Sequence, residues 1–307
     1  MTDPHARYPS LQDRAVLITG GATGIGATLV EQFVGQGARV GFIDIDAASG
    51  EALATRLKGA RHAPAFVPAD LTDIAALDRA IDALRTRTGP FTALLNNAAN
   101  DQRHRIDETT SQSWDAGIAV NLKHQFFAAK NVAADMKAAG GGSIVNFGSV
   151  SWKLKQGGMP VYTTSKSAVQ GLTRSLARDF GPFNIRVNTL VPGWVMTEKQ
   201  IRLWLDEKGK QEIARGQCIN KPLLPDHIAC MALFLAADDS AMCSGSSGRL
   251  MHCPRAISCL PFSSSQRRTC FSVITQPGTK ALTRIRKGPR SRARLRVSPC
   301  TAAFEVA

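Results

Sequence analysis

The chain lacks any apolar run approaching the ~18 uninterrupted residues that a membrane span needs. Nothing before Leu11 resembles a secretory signal, because Met1 to Ser10 is polar throughout. Its 7 Cys and 6 His fall at no spacing that resembles a zinc site, so no metal is expected and the His residues are read as surface or helix positions. No repeat unit is present, and no hairpin signal joins neighbouring apolar runs. These absences argue against membrane, secreted and zinc-bound classes, and they lead to an expectation of a cytoplasmic chain with reduced thiols.

Acidic residues are scarce at one end only. Ser246 to Ala307 carries twelve Lys and Arg against the single acid Glu305, whereas the preceding 245 residues hold 26 against 23. The formal charge of +14 therefore belongs mostly to the tail, and says little about the partner of the main domain. The 307 residues, 44% of them hydrophobic, suffice for one large α/β domain or two small ones, with a sizeable core.

Between Ala15 and Val191 six short runs are apolar almost throughout: Ala15–Thr19, Arg39–Asp44, Ala65–Pro68, Ala93–Asn96, Ser143–Phe147 and Ile185–Val191. Strands buried on both faces read this way. Helical patterns separate them at Gly24–Gln36, Asp46–Lys58, Asp73–Thr88, Ser111–Ala139 and Val161–Phe180, and two more follow at Glu198–Arg215 and Pro225–Ala237. The alternation predicts an α/β fold with a doubly wound parallel sheet of the Rossmann kind. A seventh strand should come next, but after Gly245 the text turns to Ser, Arg, Cys and Pro without apolar alternation. The domain is therefore drawn over residues 1–245, lacking its last strand, with a basic tail over 246–307 that is not forced into structure.

The first run ends in T-G-G-A-T-G-I-G, which puts Gly20, Gly24 and Gly26 at a strand-to-helix junction. Free N–H groups and the positive helix end favour a pyrophosphate there, and a Cβ would hold it away. Asp44, at the tip of the second strand, can accept from both adenosine ribose hydroxyls and would repel a 2′-phosphate, favouring NAD over NADP. Arg39 lies at the far end of that strand and reads as a surface residue. Asp70 with Leu71 is placed at the adenine end, while Asp73 better suits the cap of the next helix.

Tyr162 and Lys166 stand four apart in a helical pattern and so share a face. A free tyrosine, of pKa ~10, is a poor base at neutral pH. An adjacent ammonium and a positive nicotinamide ring would favour the phenolate. Ser149, thirteen residues upstream of Tyr162 and just past a strand, could hold the reacting oxygen while the tyrosine takes its proton.

With T-G-G-A-T-G-I-G (19–26), N-N-A-A (96–99), Asn121 in V-N-L-K, Ser149, Y-T-T-S-K (162–166) and V-P-G-W-V-M-T (191–197), the chain resembles the short-chain dehydrogenase/reductase family over about Leu11 to Gly245. The resemblance implies a catalytic set of Ser149, Tyr162, Lys166 and Asn121, the last in a water-borne proton relay to Lys166. It implies cofactor contacts from Gly20, Thr23, Gly24, Ile25, Gly26, Asp44, Asp70, Leu71, Asn97, Ala98, Tyr162, Lys166 and Pro192, with Asn96 also flanking the cofactor. Val195 and Thr197 would meet the nicotinamide carboxamide. Ala99 departs from the family's more usual Gly, and N-A-A-N-D-Q-R-H (97–104), G-G-G-S-I-V-N-F-G-S-V-S-W (140–152) and G-Q-C (216–218) are similar to a sub-branch, the aldose 1-dehydrogenases. That likeness implies oxidation of an anomeric hydroxyl to a lactone, with the sugar bounded by Ser149, Ser151, Trp152 and Trp194.

Two alternatives stay open: another substrate on the same machinery, such as a 3-oxoacyl carrier reductase using NADPH, or a catalytically impaired nucleotide-binding protein. The second draws on the tail, whose Arg-, Ser- and Pro-rich text is what a shifted reading frame near Ser244–Ser247 would give. The alternative is a genuine basic extension, but a nucleic-acid or membrane partner is not expected. The family forms homo-oligomers; without a seventh strand the sixth would be an exposed edge, and assembly would suffer.

Overall fold

A computed structural model describes residues 6–195, 197, 207, 210, 211, 213, 219 and 221–250. The helical pattern at 198–215 falls largely outside these, and G-Q-C with Cys218 and the tail beyond Leu250 with its cysteines fall wholly outside. Seven strands form one parallel sheet: β1 (Ala15–Thr19), β2 (Arg39–Asp44), β3 (Ala65–Pro68), β4 (Ala93–Asn96), β5 (Gly142–Phe147), β6 (Ile185–Pro192) and β7 (Ser247–Leu250). Their order is β3-β2-β1-β4-β5-β6-β7. The helices are α1 (Gly24–Gly35), α2 (Ala47–Arg56), α3 (Ile74–Thr88), α4 (Ser111–Ile118), α5 (His124–Ala138), α6 (Pro160–Phe180) and α7 (Pro225–Ala236). The chain reverses its direction of winding between β1 and β4, and in such sheets ligands bind beyond the strand ends at that point.

Every residue of β1 and β4 is buried, which explains the missing polar alternation. Side chains still alternate between faces. Val16 and Ile18 pack with Leu29, Val30 and Phe33 of α1, while Ala15 and Leu17 pack with Leu77, Ile81 and Leu84 of α3. Each fully buried Leu or Ile contributes roughly 1.5–3 kcal/mol, so the two layers hold the sheet from both sides. Asp46 caps α2 by accepting from Ser49, and Asp73 caps α3 by accepting from Ala75 and Ala76. Arg14 and Arg186 donate to the last carbonyls of α7, placing positive charge at the negative helix end.

The expected single helix over Ser111–Ala139 is divided by a wider, π-type turn at Ala119–Lys123. The seventh strand, expected to be missing, is present. Ser247 to Leu250 pairs in parallel with Thr189 to Pro192, so β6 is not an edge and the domain continues past Gly245. A parallel ladder needs only backbone N–H and C=O groups, and apolar side chains are not required to make it. The residues before the strand set its register. Gly245 N–H donates to Val187, and the Asn188 side chain both donates to the Cys243 carbonyl and accepts from Ser246 N–H. At four residues β7 is a short edge, a form that limits unwanted pairing.

Candidate active site

The glycine loop runs from the end of β1 into α1. Gly20 has φ +66°, and a Cβ there would lie 2.6 Å from the Ala98 Cα. A Cβ on Gly26 would lie 1.7 Å from the Gly20 carbonyl oxygen, so helix and strand approach as closely as they do only through glycine. Thr23 precedes α1 without capping it through its side chain, which leaves the first-turn amides of Gly24, Ile25 and Gly26 open to an anion. Thr197 sits over this loop, its methyl 3.6 Å from where a Gly24 Cβ would be. These residues fit a pyrophosphate.

The end of β4 braces the loop from behind. The Asn97 side chain donates to the carbonyls of Thr19 and Gly20, at 3.2 and 2.8 Å. The backbone amides of Asn97 and Ala98 donate to the Thr19 hydroxyl. Asp44 is oriented by Ala22 N–H on one oxygen and Asp46 N–H on the other, at 2.9 and 3.1 Å, and an ionised carboxylate so held keeps lone pairs able to accept from a ribose. Asp70 is exposed at the end of β3 and closes a turn on Thr72, whereas the Leu71 side chain is buried in the core. Asn96 is corrected: it is fully buried and donates to Gln125 and Asn146, beneath the crevice rather than beside it.

Ser149 follows β5, and Tyr162 and Lys166 lie one turn apart on α6. The Lys166 ammonium is 5.7 Å from the centre of the Tyr162 ring and donates to the Phe147 carbonyl at 2.8 Å. Burial lowers the Lys166 pKa to about 7, and Asp101 acts in the opposite direction. Burial raises Tyr162 to about 12; the hydrogen bond with Ser149 opposes the rise and Asp101 adds to it. The expectation of a lowered tyrosine pKa is thus reversed in the chain alone, because desolvation outweighs its neighbours.

The Asn121 side chain clamps the loop after β4: its carbonyl accepts from Asn100 N–H at 2.9 Å, and its amide donates to the carbonyls of Asn100 and Gly117. With the side chain so engaged, the group left for a relay is the main-chain carbonyl, which the Gln125 amide approaches at 3.4 Å. Ser151 is buried, and neither its hydroxyl nor the Trp152 indole N–H has a partner. Trp194 is half-buried. Pro192 ends β6, and Val195 is buried in a bridge to Leu223.

Three residues near the site, all within stretches that resemble the aldose sub-branch, received no role from the sequence. Asp101 is exposed, yet its carboxylate acts on both Tyr162 and Lys166. His124 and Gln125 are fully buried at the start of α5. Burial, and then the charge of Lys166, hold the His124 pKa down to about 3. The signal for the last two was their spacing of three and four from Asn121, which brings them to its face of the helix.

The family model for short chain dehydrogenases matches residues 14–208. The chain belongs to this family. The dehydrogenase is 46% identical over 242 residues to a probable galactose dehydrogenase of Rhizobium meliloti, covering 78% of this chain and 94% of that protein. It is 42% identical over 240 residues to a D-xylose 1-dehydrogenase of Caulobacter vibrioides, covering 78% and 95%. Among solved structures it is similar to a blue fluorescent protein from a metagenomic library in complex with NADPH, with TM-score 0.72, 27% identity and coverage of 79% and 98%. A short-chain type dehydrogenase/reductase from Mycobacterium ulcerans matches with TM-score 0.74, 25% identity and coverage of 78% and 89%.

Proposed function

We propose that the chain is an NAD-dependent aldose 1-dehydrogenase. The observation that carries the reading is the meeting of Ser149, Tyr162 and Lys166 beside the glycine loop, in a chain whose relatives are named for galactose and D-xylose. Asp44 supports NAD over NADP, since a carboxylate fixed by two amides would face a 2′-phosphate. Gly20, Thr23, Gly24, Ile25 and Gly26 would hold the pyrophosphate, and Thr197 would close over it. When bound, NAD supplies the hydride acceptor. Tyr162 becomes a base only with positive charge beside it, because its pKa of about 12 in the chain alone keeps the phenol protonated. Lys166, anchored on Phe147, already stands beside the ring in the chain alone, so the further positive charge would come from the oxidised nicotinamide.

Ser149 holds the anomeric oxygen and Tyr162 takes the hydroxyl proton. The C1–H bond breaks with its electron pair leaving as hydride, and the C1–O bond becomes the lactone carbonyl. The proton then passes through Lys166 towards the Asn121 main chain. Reduction of NAD by the purified protein across a panel of aldoses tests this reading, with NADP and with a 3-oxoacyl thioester plus NADPH as comparisons. Turnover of an aldose with NAD, lost in Tyr162→Phe while NAD binding persists, is expected. Faster reduction of the thioester, or full activity without the phenol, would overturn it.

A further inference from the structure

The loop after β4 is fixed at both ends to elements that carry the reacting groups. Asn100 is clamped through its N–H and its carbonyl by Asn121. On the other side, Gln102 N–H donates to the Asn100 side chain, and His104 N–H donates to the Gly158 carbonyl at 2.9 Å, just before α6 begins with Tyr162 in its first turn. Asp101 lies between these anchors. Its position follows from these four hydrogen bonds, three of them to asparagine side chains, although its own side chain is exposed.

Among the described residues no cation and no hydrogen-bond donor pairs with the Asp101 carboxylate. It is nevertheless the one carboxylate that acts on both Tyr162 and Lys166. Its charge raises the phenol pKa and also keeps the Lys166 ammonium protonated, so it acts on both members of the pair. Exposed on an anchored loop and making no hydrogen bond or ion pair among the described residues, the carboxylate is open to a ligand. Its neighbour His104 is open as well. The His104 ring donates from Nδ1 to the Gln102 carbonyl at 3.2 Å, so the neutral ring carries its lone pair on Nε2, which is buried without a partner. The Ser151 hydroxyl and the Trp152 indole N–H are also buried without partners. The three buried groups offer an acceptor, a hydroxyl and a donor, and buried polar groups are as a rule satisfied, which a ligand rich in hydroxyls can do.

We propose that Asp101 is a specificity-determining residue, accepting hydrogen bonds from the hydroxyls next to the reacting carbon and selecting neutral polyhydroxylated substrates. The inference rests on the aldose reading and deepens it. A carboxylate can accept from two neighbouring hydroxyls at once, and such charge-assisted bonds are the stronger kind. It repels substrates that carry a negative charge near the reacting carbon. Loss of one charged acceptor corresponds to roughly ten- to hundredfold in affinity.

The test uses full-length wild type, Asp101→Asn and Asp101→Ala, each assayed with NAD on an aldose and on tetrahydropyran-2-ol, which keeps the anomeric hydroxyl and lacks all the others. Both variants should lose at least tenfold more kcat/KM on the aldose than on the stripped substrate. Equal losses on the two substrates would overturn the role of Asp101. If wild type prefers tetrahydropyran-2-ol to every aldose, the aldose reading itself fails. If wild type prefers aldoses and Asp101→Ala keeps that preference, only the assignment of Asp101 fails.

Discussion

Acidification should unfold this protein through His124. The imidazole is fully buried at the start of α5, and neither ring nitrogen makes a well-formed hydrogen bond. Burial and then the charge of Lys166 depress its pKa to about 3, with only weak opposition from the carbonyls of Ala119 and Val120. In the unfolded chain the ring titrates near ~6.5. Because the folded value is the lower one, the unfolded chain takes up the proton first as pH falls. The neutral ring therefore leaves stability untouched above ~6.5, and stability is lost progressively between there and about 3. The full difference corresponds to about 5 kcal/mol, of which about 2 kcal/mol is lost by pH ~5. Against a total of ~5–15 kcal/mol for a typical domain this is a large share. Urea unfolding of wild type and His124→Leu at pH ~7.5 and pH ~5 isolates it. Any offset between the variant and wild type is common to both values, so the quantity read is the drop between them. Wild type should lose about 2 kcal/mol more than the variant. Equal drops would refute the account of a ring held neutral by burial.

Gly26→Ala forces a Cβ against the Gly20 carbonyl, so it should abolish NAD binding and lower the melting temperature; a variant that still melts higher with added NAD would refute the close approach. Asp44→Ala should raise the NADP to NAD ratio of kcat/KM by roughly tenfold, the size of one charge-assisted contact. An unchanged ratio would remove Asp44 from the ribose site. A chain ending at Gly245 loses β7 and should melt lower than one ending at Leu250, by ~2–4 °C for each kcal/mol the ladder contributes. Identical melting curves would show that pairing to β6 adds nothing.

Much of the fold was legible because buried parallel strands carry a signal in every residue. The six runs from Ala15 to Val191 return as β1 to β6 within a residue at either end, and Asp73 caps α3 as its position suggests. The loop glycines were legible for a related reason, since a backbone contact that excludes a Cβ leaves no other residue to use. Two features were hidden. The π-type turn at Ala119–Lys123 changes the backbone pitch without changing the apolar pattern. β7 is held by backbone bonds to β6 and by Asn188, so its unpromising side chains gave no sign of it.

Sequence by itself determined which residue types reach the crevice: Ser149, Tyr162 and Lys166 follow from one strand end and one helical turn, and local spacing is enough to bring them there. Their ionisation was decided only by tertiary structure. The direction of each pKa depends on how much water the packed chain removes, and on Asp101 and His124, which come from other segments. A desolvation energy belongs to the assembled interior, and no local pattern of residues encodes it.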